Sequence, residues 1–217
     1  MSRGIPKHLK DRTKYAIVGD GECEIWYFQM LKKHNPSLPI NIEPKLAIKT
    51  TLENQFKKIK QEFYDSYDKI FWIVDYDVIL DQTKKCKKGN KPRNQEFKEY
   101  FDEITKKFSD KVEVIINNPC LEFWFLLHHL ETSKSFSNCG QTEKDLKKIK
   151  EFQKFQKKPD FFIKGIDIFK LTEKNLKTAL VNSKKLGNFD FKNPTKSVCE
   201  MWKFFEDKNI KSTFKIK

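Results

Sequence analysis

The stretch KIFWIVDYD, residues 69–77, decides the fold. Ile70 to Val74 are apolar without a break, and the run stops at Asp75 and Asp77. A strand that faces water on one side alternates apolar with polar residues. An unbroken run is what a strand buried on both faces needs, as in the middle of a parallel sheet. Parallel neighbours cannot be joined by hairpins, so crossover helices are expected on both sides of this strand in the chain.

Working outward, the flanks meet that expectation. Upstream, KYAIV (14–18) is a second short apolar strand, and it runs into Gly19-Asp20-Gly21-Glu22. Helical spacing follows over residues 24–34, with Ile25, Phe28 and Leu31 on one face. Ile40–Ile42 reads as a short strand after the breaks at Pro36 and Pro39. Residues 51–64 carry Leu52, Phe56, Ile59 and Phe63 at helical intervals. Downstream, residues 81–94 are polar and basic with Gly and Pro, and read as a mobile surface loop. A helix over 96–108, a strand at 111–116 (KVEVII) and an apolar helix over 121–130 come next. Further helices are predicted near 142–157, 171–187 and 195–208.

The order β-α-β-α-β-α-β implies an α/β fold with a mainly parallel sheet and right-handed crossovers, flanked by helices. We divide the chain into a basic arm (1–13), an α/β core (14–131) and a basic helical C-terminal extension packed on the core (132–217). At 217 residues the chain can bury a sizeable core. Only 38% of residues are hydrophobic, but 20 phenylalanines supply large apolar area.

The formal net charge is +14 and is unevenly spread. Residues 132–217 hold 21 lysines against 10 acidic residues. Such a field concentrates polyanions, which makes nucleic acid the natural partner to consider. The competing reading is lysine used simply to solvate helices. The five cysteines, Cys23, Cys86, Cys120, Cys139 and Cys199, form no CxxC. With no apolar leader, and nothing near the ~18 apolar residues of a membrane helix, a cytoplasmic setting with ordinary thiols and no membrane partner is expected.

Two acidic clusters stand just past strand ends: Asp20, Glu22 and Glu24, then Asp75 and Asp77. In parallel α/β sheets, sites form at that edge. If strand geometry persists through residue 77, Asp75 and Asp77 point the same way. Crowded carboxylates repel and raise one another's pKa unless a cation compensates. Mg²⁺ is the usual partner, held by one or two carboxylates plus water and phosphate. The alternative is that these acids are solvated residues at helix N-termini, favoured by the macrodipole.

The chain also resembles a known family. AIVGDGECEIWYF (16–28), IFWIVDYD (70–77), NNPCLEFWFLLHH (117–129) and NPTKSV (193–198) resemble, in order, four motifs of the RloB-like family. The third is the specific one. The resemblance implies a Toprim-type domain with an acid after the first strand and Asp-x-Asp after a later one. By position these are Asp20, Glu24, Asp75 and Asp77, as metal ligands and catalytic residues. Asp20 departs from the family's Glu and is one methylene shorter. The family resemblance further implies a role in restriction or phage defence, with a partner ATPase of AAA or ABC type.

Three more residues enter the candidate set. Asn118 is a good N-cap for a helix beginning near Pro119. Asn118 and Glu122 can alternatively line the rim of the metal site and bind substrate. Glu122 stands among apolar residues, so it is paired or its pKa is raised. Lys164 follows Phe161-Phe162-Ile163, which resembles the family's aromatic-x-Lys element, and would contact phosphate. The other reading of Lys164 is one surface lysine among many. His128-His129 suggests no zinc site, because adjacent histidines rarely share a metal. No P-loop sequence is present.

These observations lead to an expected Mg²⁺-dependent (or Mn²⁺-dependent) nuclease on DNA or RNA, tRNA included. A catalytically degenerate subunit that binds nucleic acid or an ATPase is the alternative. Primase-like nucleotidyl transfer is a third class. Oligomeric state is left open.

Overall fold

A computed structural model describes residues 13–19, 21–43 and 50–214 of the chain. The strands are β1 (Tyr15–Val18), β2 (Ile40–Glu43), β3 (Lys69–Asp75), β4 (Val112–Asn118) and β5 (Val198–Cys199). They form one five-stranded sheet in the order β2-β1-β3-β4-β5. β2, β1, β3 and β4 are parallel, and β5 pairs antiparallel with β4. The fold is therefore α/β with a mainly parallel sheet flanked by helices, as expected, and KIFWIVD is its central strand.

Side-chain alternation along the strands makes two cores. Tyr15, Ile17, Phe71, Ile73, Ile115 and Cys199 face one side. That side is covered by α1 (Glu22–His34), α5 (Glu122–Leu127), α8 (Leu176–Leu186) and α9 (Trp202–Glu206). Ala16, Val18, Ile70, Trp72, Val74, Val114 and Ile116 face the other. Here α2 (Leu52–Lys58), α3 (Tyr76–Lys84) and α4 (Arg93–Lys107) supply Phe56, Ile79, Phe97 and Ile104. Two buried indole N–H groups are satisfied across elements. Trp72 Nε1–H donates to Gln55 Oε1 (2.6 Å), and Trp124 Nε1–H donates to Tyr27 Oη (2.9 Å).

Several local expectations need correction. Residues 81–84 belong to α3, so the connection to α4 covers only 85–92. Helix α2 passes into a π-helical turn, Ile59–Phe63. The helix expected over 142–157 is instead α6 (Cys139–Leu146) followed by a 3-10 turn, Lys150–Phe152. The segment expected as helix 195–208 contains β5, then α9 and α10 (Lys208–Thr213). Strand β5 is buried at Val198 and Cys199, and Glu200 folds back to bind it in place. Glu200 Oε2 accepts from Ile116 N–H (3.0 Å), and Oε1 accepts from Phe189 N–H (2.9 Å). That long-range pairing is invisible to local periodicity.

Residues 171–187 likewise divide, into α7 (Ile168–Thr172), a 3-10 turn and α8. Residues 1–12 of the basic arm lie outside the described residues. Cys120 and Cys139 form a disulfide, contrary to the expectation of ordinary thiols. Their separation of 19 residues gave no local pairing signal; the meeting of the α5 and α6 starts creates it.

Candidate active site

The C-terminal ends of β1, β3 and β4 lie side by side, and each leads into a helix that starts with an acid in or near its first turn. From β1, the chain passes Gly19 and Gly21 into α1. Glu24 lies in the first turn and is buried. Its carboxylate folds back over the turn. A Cβ at Gly21 would overlap Glu24 Oε2, and one at Gly19 would touch Glu24 Cβ at 3.4 Å. The glycines at 19 and 21 are thus explained by close approach of a side chain to backbone, and the φ of −96° at Gly21 is ordinary.

Asp75 is the last residue of β3, and its Oδ1 accepts from Leu121 N–H (2.9 Å). Glu122 opens α5 and is 1% exposed. These three carboxylates line one cleft of about 390 Å³, with Thr50, Gln82 and Lys157 in its wall. A smaller hollow of about 210 Å³ shares Thr50, Asp75, Val78 and Gln82 and adds Gln55 and Arg93. Through these shared residues the two adjoin as a trough, with Asp75 in the wall of both, Lys157 in one part and Arg93 in the other.

Charge in the trough is partly balanced. Lys157 Nζ is 3.1 Å from Glu122 Oε1 and 3.2 Å from Glu143 Oε1. Burial pushes the Glu122 pKa up, and the Lys157 charge works against that rise. Burial also works against the Lys157 ammonium, but the Glu122 carboxylate more than offsets it, and the Lys157 pKa is raised. The Cys23 thiol is also in the cleft wall; burial and then the Glu122 and Glu24 charges push its pKa up.

The expected residues are not all brought together. Asp20 lies outside the described residues. Glu24 and Asp75 share the cleft, as does Glu122. Asp77 does not: strand geometry ends at Asp75, and α3 begins at Tyr76, which turns the second carboxylate away. Asp77 Oδ2 instead accepts from Cys139 N–H (2.9 Å) at the start of α6, and burial raises its pKa.

Asn118 is no helix cap, because it is still in β4 and α5 starts four residues later. Its Nδ2 donates to Pro194 O (2.8 Å) and Lys196 O (2.7 Å), tying the NPTKSV turn to the sheet. Lys164 is exposed at the end of a π-helical turn, Asp160–Lys164, and is not in the cleft wall. The lysine there is Lys157. No motif marked it, since it is one of many lysines in a basic segment and only the fold sets it beside Glu122. His128 is a core residue: Nδ1 lies 2.8 Å from Trp124 O, and burial lowers its pKa to about 3.

The model of the RloB-like protein family matches residues 15–207, from β1 to the end of α9. The chain belongs to the RloB-like family. Comparison with curated proteins and with solved structures finds no match. Family membership covers the two strand-end acids and the cleft together, since β1, β3, β4, β5 and α5 all fall inside the matched span. Among the described residues no helix is long and apolar enough to cross a membrane.

The donors fit a hard divalent cation. Glu24 and Asp75 are oxygen donors in one cleft, and Mg²⁺ takes one or two protein carboxylates and fills its remaining positions with water and phosphate.

Proposed function

We propose that this member of the RloB-like family is a Mg²⁺-dependent nuclease of Toprim type, with Mn²⁺ able to substitute, acting on DNA or RNA. The observation that carries the reading is that Glu24 and Asp75, supplied by different strand ends, line one cleft beside the cations Lys157 and Arg93. Glu24 and Asp75 would hold the metal, with Asp20, which lies outside the described residues, as the third acid of the family pattern. A bound Mg²⁺ supplies an activated water and neutralises charge on a phosphodiester oxygen. Lys157 and Arg93 place positive charge along the trough, where a phosphate backbone gains most from it. Gln82 and Thr50 offer neutral polar contacts in the same wall. Exposed Lys147, Lys150, Lys154 and Lys158 lie in the segment that carries Lys157, and extend the basic field for a polyanion.

By its family the protein would act in phage defence, as a toxic effector restrained or triggered by an AAA- or ABC-type ATPase, in the cytoplasm. The test is cleavage of single- and double-stranded DNA, RNA and tRNA by the purified chain with Mg²⁺ or Mn²⁺, alone and with the ATPase. The wild type should cut, and Glu24→Gln and Asp75→Asn should not. Absence of cleavage in all of these, with Asp75→Asn leaving the cellular effect intact, removes the nuclease reading.

A second reading has its own support. Asp77 and Asp75 each accept a backbone N–H and Glu122 is held by Lys157, so carboxylates of the candidate set already have protein partners. A non-catalytic subunit that binds nucleic acid or the ATPase would need no more than this. In that case the acid variants bind and function like the wild type.

A further inference from the structure

Two cysteines distant in sequence meet beside one buried carboxylate. Cys120 follows the cis Asn118–Pro119 bond at the end of β4, and Cys139 opens α6. They form a disulfide with their Cα atoms 5.7 Å apart. Glu122 Oε2 is 2.8 Å from Cys139 Sγ, and donor atoms of Cys120, Glu122 and Cys139 all lie within 4.8 Å of one another. Glu122 is 1% exposed. Lys157 Nζ, 3.1 Å from Glu122 Oε1 and 3.3 Å from Cys139 Sγ, puts positive charge among the same donors. Its side chain is 41% exposed and also reaches Glu143, so it can turn away when another cation arrives.

We propose that Cys120, Cys139 and Glu122 form a redox-gated zinc site beside the acidic cleft, of which the disulfide is the closed, metal-free form. A dithiol reductant opens it: two electrons and two protons pass to the S–S bond, two thiols form, and the reductant becomes a disulfide. Binding then releases the two thiol protons to solvent and leaves two thiolates and a carboxylate on the ion. That donor set selects a borderline-soft cation, unlike the oxygen-only pair Glu24 and Asp75. Zn–S bonds of about 2.3 Å require the two sulfurs to part and rotate about a common centre. The fourth position belongs to water, because three protein ligands leave a tetrahedral zinc open. Zinc would compete with Lys157 for Glu122, so the redox state would decide which cation that carboxylate holds.

The test uses the full chain reduced with a phosphine, which does not itself bind zinc as a thiol would. Titration with Co²⁺ reads the thiolate-to-cobalt charge-transfer band, and Zn²⁺ is then added in competition. The reduced wild type should give an equimolar band that Zn²⁺ abolishes, and the oxidised wild type should give none. Cys120→Ser and Cys139→Ser should lose the band, and Glu122→Gln should weaken binding at least tenfold. Cys86→Ser and the Glu24→Gln/Asp75→Asn double variant should keep it, which separates this site from the acidic one. The proposal is overturned if reduced wild type shows no band, or if the band is equal in the oxidised protein. It is also overturned if the band survives loss of both Cys120 and Cys139. The wild-type redox comparison depends on no variant folding.

Discussion

Lys157 Nζ lies 3.1 Å from Oε1 of Glu122, a carboxylate that is 1% exposed, and so one partly exposed lysine neutralises a charge buried in the cleft wall. Truncating Lys157 to Met should leave that charge without compensation. Breaking a buried pair costs about 3–5 kcal/mol, and we expect the lower end here because Lys157 itself is screened by solvent. The sign of the pH effect follows. Without Lys157 the folded-state pKa of Glu122 is raised by burial, so stability should be greatest below the unfolded carboxylate value and fall as pH rises above it. The Glu122→Gln/Lys157→Met double variant should recover most of the loss and its pH dependence. Urea denaturation of the four proteins between pH 4 and 8 checks this. In nuclease assays Lys157→Met should be impaired and Lys164→Ala should match the wild type.

Asp75 and Asp77 are separated by one residue but stand in different surroundings. Asp75→Asn removes a cleft carboxylate and should reduce metal-dependent cleavage by at least about 100-fold, the upper range for disturbing even an outer metal partner. Asp77→Asn keeps an oxygen that can accept from Cys139 N–H, so its loss should be under about tenfold. Equal losses in a single-turnover assay would show that the two acids act together despite their divergence.

Gly21 is the point where the Glu24 carboxylate passes over the backbone. Gly21→Ala should displace that carboxylate, with a stability cost of about 1–3 kcal/mol from overpacking. Activity should fall with it. Adding Glu24→Ala should restore stability but not activity, which calorimetry and a cleavage assay together would read. Stability that remains low in the double variant would place the strain elsewhere.

His128 is buried, and its pKa is lowered to about 3 from 6.5 by burial. A depressed folded-state value means that protonation favours the unfolded chain. The stability held above pH 6.5 should therefore be lost progressively as pH falls from 6.5 towards 3. The slope from this group is about 1.4 kcal/mol per pH unit at its steepest. His128→Phe, which keeps an aromatic ring against Trp124, should flatten the acid limb of the stability curve. An unchanged limb would assign the loss to other groups.

The strands and the edge of the sheet that carries the acids were legible in the sequence. KIFWIVDYD and KYAIVGDGE each state, within nine residues, a strand buried on both faces and an acid beyond its end. Such information is local, because hydrophobic runs and glycine turns act over neighbouring positions. Glu24, Asp75 and Glu122 are accordingly candidates from the sequence, and the fold puts them in one cleft. The divergence of Asp75 and Asp77 was not legible. It depends on whether the strand or the helix claims Tyr76, and packing of α3 on the sheet decides that.

The remaining features are set by contacts between distant segments. Lys157 is one lysine among many until the fold brings its segment against α5. Asn118 resembles a helix cap until β5 returns from residue 198 and the 194–196 turn claims its amide. Cys120 and Cys139 carry no pairing signal until α5 and α6 meet. The sequence by itself determined the α/β class and the central strand, and it singled out the acids at the strand ends, since each is written in a short window of side-chain period. Only the tertiary structure decided which cation faces Glu122, which aspartate enters the cleft and which cysteines touch. Those outcomes depend on chain segments tens of residues apart, whose meeting no local pattern encodes.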